Sequence, residues 1–329
     1  MSKNTLKVAV TRKLPAPIEA RLADLFDTTF NADDAPLSNE DLLALTHSHD
    51  VIAATLGDRL DATFFKNAGP RTKLIANFGA GVDHIHVAAA AEKGVTVTNT
   101  PSVLAEDAAD MAMSLILAVP RRLVEGVKAL EEGRFKGWSP TWMLGKRVRG
   151  KKLGIIGLGR VGQAIAVRAR SFGLSIHYHN RHPINPHVED DLQATYWDSL
   201  DQMLAHMDIV SVNCPHTPAT YHLLSRRRLS LMPPHAYVVN VSRGDIIDEE
   251  ALATMIAEGR LAGAGLDVFE REHEPNEKLM AAPNVVLLPH MASATEESRI
   301  EMGERVLINI KMFADGHKPP DRIIVGLGS

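Results

Sequence analysis

The chain has 329 residues, 45% of them hydrophobic and 23% charged, with a formal net charge of −4. That length gives a prior of about two domains, and the composition is an ordinary soluble one able to bury sizeable cores. No Lys/Arg-rich block marks a nucleic-acid surface, no apolar run reaches the ~18 residues a membrane helix needs, and the single cysteine, Cys214, excludes an internal disulfide framework.

Residues 1–7 lack the apolar core of a secretory signal, and one cysteine fits a reducing compartment, so a cytoplasmic location is expected. The 15 histidines show no cluster with metal-ligand spacing, so no metal is expected.

In chain order, β-rich runs fall at 6–10, 51–54, 74–77 and 95–98, separated by alanine-rich helical stretches such as 86–93. A single long helical pattern then covers 103–131, with a buried-looking Ala/Met/Leu half at 105–118. A second series places strands at 153–156, 175–178, 209–212, 237–241, 263–267 and 285–288. Its helices fall at 161–172, 199–206, 249–258 and 295–313. This alternation predicts an α/β protein with two doubly wound, parallel-sheet domains. A Rossmann-type cofactor domain spans 102–289. A smaller substrate domain is discontinuous, made of 1–101 and of 290–329, whose long helix returns to it. The site is expected in the cleft that such a division creates.

Strand 153–156 runs straight into Gly157-Leu158-Gly159-Arg160-Val161-Gly162, and a helical pattern follows. That context makes the motif a dinucleotide loop rather than a plain turn. Gly157 permits the tight turn, Gly159 lets the backbone approach a pyrophosphate, and Gly162 lets helix and strand touch. The helix start then offers N–H groups to the phosphates.

The next strand should end in an acid if the cofactor is NAD, because that acid bonds the ribose hydroxyls and repels a 2′-phosphate. Here the sequence reads His179-Asn180-Arg181-His182. Asn180 removes the repulsion and Arg181 can pair with a 2′-phosphate. NADPH is therefore expected in preference to NADH. The alternative is that Arg181 stacks on adenine and both cofactors bind.

Three polar residues follow three later strands. Arg243 ends Asn240-Val241-Ser242-Arg243-Gly244, Glu272 lies past Gly265-Leu266-Asp267-Val268-Phe269, and His290 follows Leu288-Pro289. Strand carboxyl ends are where ligands bind in such sheets. A guanidinium clamps a carboxylate, a histidine gives a proton near neutral pH, and a carboxylate bonded to that histidine stabilises its imidazolium. Taken singly, each has a plainer reading: a surface salt bridge for Arg243, a solvated acid for Glu272 in the acidic run 270–274, a structural histidine for His290. Their order and context favour a keto-acid reductase.

With Gly79-Ala80-Gly81-Val82-Asp83-His84 added, these stretches resemble the D-isomer-specific 2-hydroxyacid dehydrogenases over essentially the whole chain. The resemblance implies that Arg243 binds and polarises the substrate, His290 is the acid/base, and Glu272 orients it. The glutamate is Glu272 rather than Glu270, because the family spaces it five residues beyond the position of Asp267. The resemblance also puts Asp267 at the nicotinamide carboxamide, Cys214, Pro215, Val241 and Ser242 along the cofactor, and the Ala80 and Gly81 backbone at the substrate carboxylate. Formate dehydrogenases share features around 178–182 and Cys214-Pro215 but carry glutamine at the position of Glu272. Formate oxidation needs no proton donor, so Glu272 argues against it.

The segment Gly137-Trp138-Ser139-Pro140-Thr141-Trp142 resembles glyoxylate/hydroxypyruvate reductases, in which a tryptophan loop of one subunit reaches the other's site. That implies a homodimer with Trp138, or second Trp142, as the visiting residue; packing at the dimer interface is the plainer role. The reading is thus NADPH-preferring reduction of glyoxylate and hydroxypyruvate. A broader NAD-dependent 2-keto-acid reductase is the nearer alternative. A dinucleotide-sensing binding protein, like the family's corepressor relatives, is the farther one.

Overall fold

Mostly aliphatic strands of three to seven residues, each followed by a helix, leave parallel pairing with helical crossovers as the way to satisfy every backbone group. The computed structural model describes residues 4–272, 274–282 and 284–324, which fall into two compact units.

The first unit holds residues 4–104 and 294–324. It begins with β1 (Asn4–Val10), α1 (Ala16–Leu25), β2 (Phe26–Phe30), α2 (Asn39–Ser48), β3 (Val51–Ala53), α3 (Ala62–Asn67), β4 (Leu74–Ala76), α4 (Val87–Glu92) and β5 (Thr96–Thr98). The strands form one parallel sheet in the order β2-β1-β3-β4-β5. Successive residues of β3 feed opposite cores: Val51 and Ala53 face one cluster, Ile52 the other. Strand β2 was absent from the sequence expectation. Its Phe-Asp-Thr-Thr-Phe run is poor in aliphatics, but as an edge strand with one partner it tolerates exposed Asp27 and Thr29.

The second unit, residues 105–293, holds α5 (Ala105–Ala118), α6 (Leu123–Glu131), β6 (Lys152–Ile156), α7 (Arg160–Ser171), β7 (Ser175–His179), α8 (Pro186–Leu192), β8 (Ala194–Tyr196), α9 (Leu200–Leu204), β9 (Ile209–Val212), α10 (Arg226–Leu229), β10 (Tyr237–Asn240), α11 (Glu249–Ala257), β11 (Gly263–Leu266), α12 (Glu277–Ala281) and β12 (Val285–Leu287). All seven strands are parallel, in the order β12-β11-β10-β9-β6-β7-β8. The order reverses between β6 and β9, which makes that crevice the topological switch point. Val238 and Val239 on β10 are both 0% exposed and enter different clusters, so both faces of this sheet are covered.

The single helix expected over 103–131 is two helices. Pro120 lacks an N–H and disfavours helical geometry at Val119, and Arg122 turns left-handed at φ 54°. The six strands expected in the second series become seven through the short edge strand β8. The last helix, α13 (Glu296–Ala314), belongs to the first unit. Its Met302, Val306, Leu307 and Ile310 join the cluster of Val8, Ile18 and Leu22, and Gly303 lies flush against Ile18. Among the described residues, no helix is long and apolar enough to cross a membrane.

Candidate active site

The glycine loop sits at the carboxyl end of β6. Gly157 has φ +95°, and a Cβ there would lie 2.7 Å from the Cys214 backbone nitrogen. A Cβ on Gly162 would lie 2.4 Å from the Gly157 carbonyl oxygen. The protein itself therefore requires two of the three glycines. The third, Gly159, is the N-cap of α7, and a Cβ there would meet nothing within 4 Å. That open approach to backbone at a helix start is what a pyrophosphate needs. Beside it, the buried Asn213 Oδ1 has no hydrogen-bond partner, while its Nδ2 donates to the Ser211 carbonyl and hydroxyl. A buried orphan acceptor beside a ligand loop fits a bound group carrying donors. The sequence reading missed Asn213, whose one signal was an amide directly after an apolar strand.

At the end of β7, Asn180 Oδ1 accepts the Leu158 N–H at 2.8 Å. Leu158 is 1% exposed, so both its amide and its side chain serve the loop itself. The Tyr178 hydroxyl donates to Glu189 and accepts the Ile184 N–H, and Tyr196 donates to the Asn180 carbonyl. Burial, with Glu189 beside it, pushes the Tyr178 pKa up to about 12. The turn is thus held from below, and its exposed crest carries Arg181 and His182.

Strand β10 ends in Asn240, which is 1% exposed. Its Oδ1 accepts the Ser242 N–H and its Nδ2 donates to the Arg243 carbonyl, which folds the chain into the Arg243 turn. Arg243 Nη1 donates back to the Ser242 carbonyl at 2.7 Å. At Gly244 a Cβ would overlap the Phe269 backbone, so this turn abuts the loop leaving β11.

Asp267 directly follows β11 and is fully buried. Its two oxygens accept the Met291 and Ala292 N–H groups, both at 2.8 Å, and its carbonyl accepts the His290 N–H at 2.9 Å. Burial raises the Asp267 pKa against the pull of those amides and of His290. The clasp holds His290 at φ +51°, a left-handed conformation rare for a residue with a Cβ. His290 Nδ1 then lies 3.1 Å from Glu272 Oε1, with both side chains about one-third exposed, at 31% and 38%. When Nδ1–H donates to Glu272, Nε2 is the nitrogen left to exchange a proton. The exits of three consecutive strands, β10, β11 and β12, thus carry a guanidinium, a carboxylate and an imidazole.

In the first unit, the loop after β4 is held carbonyl-inward. Asn77 Nδ2 donates to the Gly79 and Gly81 carbonyls, and Asn99 Nδ2 to that of Ala80. With three successive carbonyls consumed, the Ala80–Gly81 stretch is suited to meet an anion with N–H groups. Asn77 and Asn99 escaped the sequence reading as supports of this loop.

The family of D-isomer specific 2-hydroxyacid dehydrogenases, through its NAD binding domain, matches residues 113–292. The chain belongs to this family. It is 42% identical over 318 residues to a glyoxylate reductase of Thermococcus onnurineus, covering 95% of this chain and 94% of that one. A solved glyoxylate reductase from Paecilomyes thermophila superposes with a TM-score of 0.86 at 29% identity, covering 97% of this chain and 98% of that one. A solved NADPH-dependent glyoxylate/hydroxypyruvate reductase of Sinorhizobium meliloti, in complex with NADP and malonate, gives a TM-score of 0.85 at 35% identity, covering 97% and 96%.

Within this dehydrogenase, Val241 and Ser242 continue β10 toward Arg243, while Pro215 follows Cys214 at the end of β9. Trp138 is 85% exposed, and Trp142 rests on Phe135 with ring centres 5.5 Å apart. Cys214 is 9% exposed, and burial pushes its thiol pKa up to about 11. Native Cys214 should therefore resist iodoacetamide at pH 8, because the thiolate is the nucleophile. Alkylation as fast in the folded as in the urea-unfolded enzyme would contradict this environment.

Proposed function

We propose that the protein reduces glyoxylate and hydroxypyruvate to glycolate and D-glycerate, with NADPH preferred and NADH accepted. The observation that carries this reading is the His290–Glu272 pair at 3.1 Å, beside the strand exit that bears Arg243. The names of the relatives support the substrate class. The Sinorhizobium enzyme, described as NADPH-dependent, supports the cofactor.

Arg243 clamps the substrate carboxylate and stabilises negative charge growing on the carbonyl oxygen. His290, protonated, gives its Nε2 proton to that oxygen as the alkoxide forms. Glu272 fixes the imidazole orientation and stabilises its charged form before transfer. The bound nicotinamide supplies the hydride to the carbonyl carbon. Gly157, Gly159 and Gly162 with the start of α7 hold the pyrophosphate, and Asp267 secures the turn that presents His290. A neutral Asn180 and the exposed Arg181 favour a 2′-phosphate.

In the second unit, Leu123, Val127 and Leu130 on α6 are exposed, as are Phe135, Trp138 and Leu144 beyond it. A second copy of the chain covers this apolar arm in the homodimer we propose, with Trp138 as the residue offered to the partner's site.

His290→Ala should lower glyoxylate turnover by roughly 10²–10⁴-fold with NADPH affinity retained. Activity surviving within about tenfold of wild type would remove His290 as the proton donor. Asn180→Asp keeps an acceptor for the Leu158 N–H and adds only charge. It should cut the NADPH-over-NADH ratio of kcat/KM at least about tenfold, a difference of roughly 1.4 kcal/mol; an unchanged ratio would refute the role of this position. Sedimentation should give twice the 35.9 kDa chain mass, and Trp138→Ala should raise the KM for glyoxylate. A monomer with full activity would dispose of the shared site.

A further inference from the structure

Glu270 lies two residues before Glu272 and takes no part in the proposed chemistry, yet it is densely bonded. Its Oε1 accepts the N–H of Glu249, the first residue of α11, at 3.0 Å, and lies 2.8 Å from His222 Nε2. Its own N–H donates to Glu249 Oε1 at 2.6 Å. Two glutamates therefore clasp each other, side chain to backbone in both directions. Glu249 is 5% exposed, and burial raises its pKa, with the Glu270 and Glu272 charges pushing the same way against the Glu270 N–H. A buried carboxylate set against other carboxylates is a costly arrangement, and such local conflicts concentrate where function needs a fixed geometry.

The clasp lies at the junction of three loops. The turn of Arg243 leads through Gly244–Ile246 into α11, which starts at Glu249. The chain leaving β11 passes Phe269 and Glu270 on its way to Glu272, and its backbone lies directly against Gly244. The segment before α10 wraps the same turn: the His222 N–H donates to the Asp245 carbonyl at 2.8 Å and the Leu224 N–H to that of Ile246 at 3.0 Å. His216 Nε2 pairs with Asp245 at 3.2 Å. The Glu270 side chain is bonded to both of the other loops, through the Glu249 N–H and His222 Nε2.

We propose that Glu270 is a positioning residue: together with Glu249 and His222 it locks the loop carrying Glu272 onto the turn carrying Arg243. This rests on the reading of Arg243, Glu272 and His290 as the reacting set. Two residues span at most about 7 Å, so movement at Glu270 passes almost undamped to Glu272. Misplacement of a catalytic group by about 1 Å can cost on the order of 100-fold in rate.

The test is a double-mutant cycle of Glu270→Ala and Glu272→Ala, with Glu270→Gln alongside, measured as kcat and KM for glyoxylate with NADPH. Glu270→Ala should lower kcat/KM about 10- to 100-fold, with NADPH affinity by fluorescence within about twofold of wild type. Glu270→Gln keeps an oxygen for the Glu249 N–H and should recover most of that loss. In the Glu272→Ala background, Glu270→Ala should cost no more than about a further twofold, because its effect runs through Glu272. Full additivity, equal damage from Ala and Gln, or a Glu270→Ala enzyme as active as wild type would each overturn the proposal. If Glu272→Ala itself leaves kcat/KM within about threefold of wild type, the reading of Glu272 fails, and the proposal falls with it for that separate reason.

Discussion

The candidate site of the second unit hangs on one buried carboxylate. Asp267, directly after β11, is fully buried and holds the Met291 and Ala292 amides, so the chain leaving β12 must double back with His290 in a left-handed conformation. That clasp helps hold an imidazole with a Cβ in a sparsely populated region. Burial works against the ionised form of Asp267, and the two amides and His290 work for it. A local cost is thus carried by hydrogen bonds that also aim the histidine at Glu272.

The same device recurs at strand ends in both sheets. Buried amide side chains at strand ends, Asn240 after β10 and Asn77 after β4, use their carbonyl and NH₂ groups to turn the chain without further regular structure. Asn180 does likewise after β7 by holding the Leu158 amide. Each is a short polar group at the carboxyl edge of a parallel strand, where the ladder ends and backbone groups need new partners. The edge that must be closed this way is also the edge where ligands bind in sheets of this kind, so supporting and candidate site residues lie side by side.

Much of this was legible in the chain. The glycine motif after an apolar strand announced the dinucleotide loop, and Arg243, Glu272 and His290 declared themselves as candidates by standing after three strands. Edge strands β2 and β8 were not legible, because an edge needs only one partner and so carries a weak aliphatic signal. The break between α5 and α6 was readable at Pro120 but hidden by helix-like residues on both sides. The supporting amides Asn77, Asn99 and Asn240 carried no pattern, and Asn213 with its orphan oxygen carried only its place after an apolar strand. A lone asparagine in a sequence looks the same whether it is solvated or buried.

Sequence alone determined the class of fold, the dinucleotide loop and the identity of the candidate reacting residues. These depend on periodicity, on glycine's freedom at Gly157 and on functional groups, all of which are local properties. Only the tertiary structure decided that Glu272 meets His290 at Nδ1, that Asn180 braces Leu158, and that Glu270 is bound to Glu249 and His222. Those facts depend on which strand exits become neighbours and which carboxylates lose their water. Both are settled by the packing of segments up to 48 residues apart in the chain, as His222 and Glu270 are.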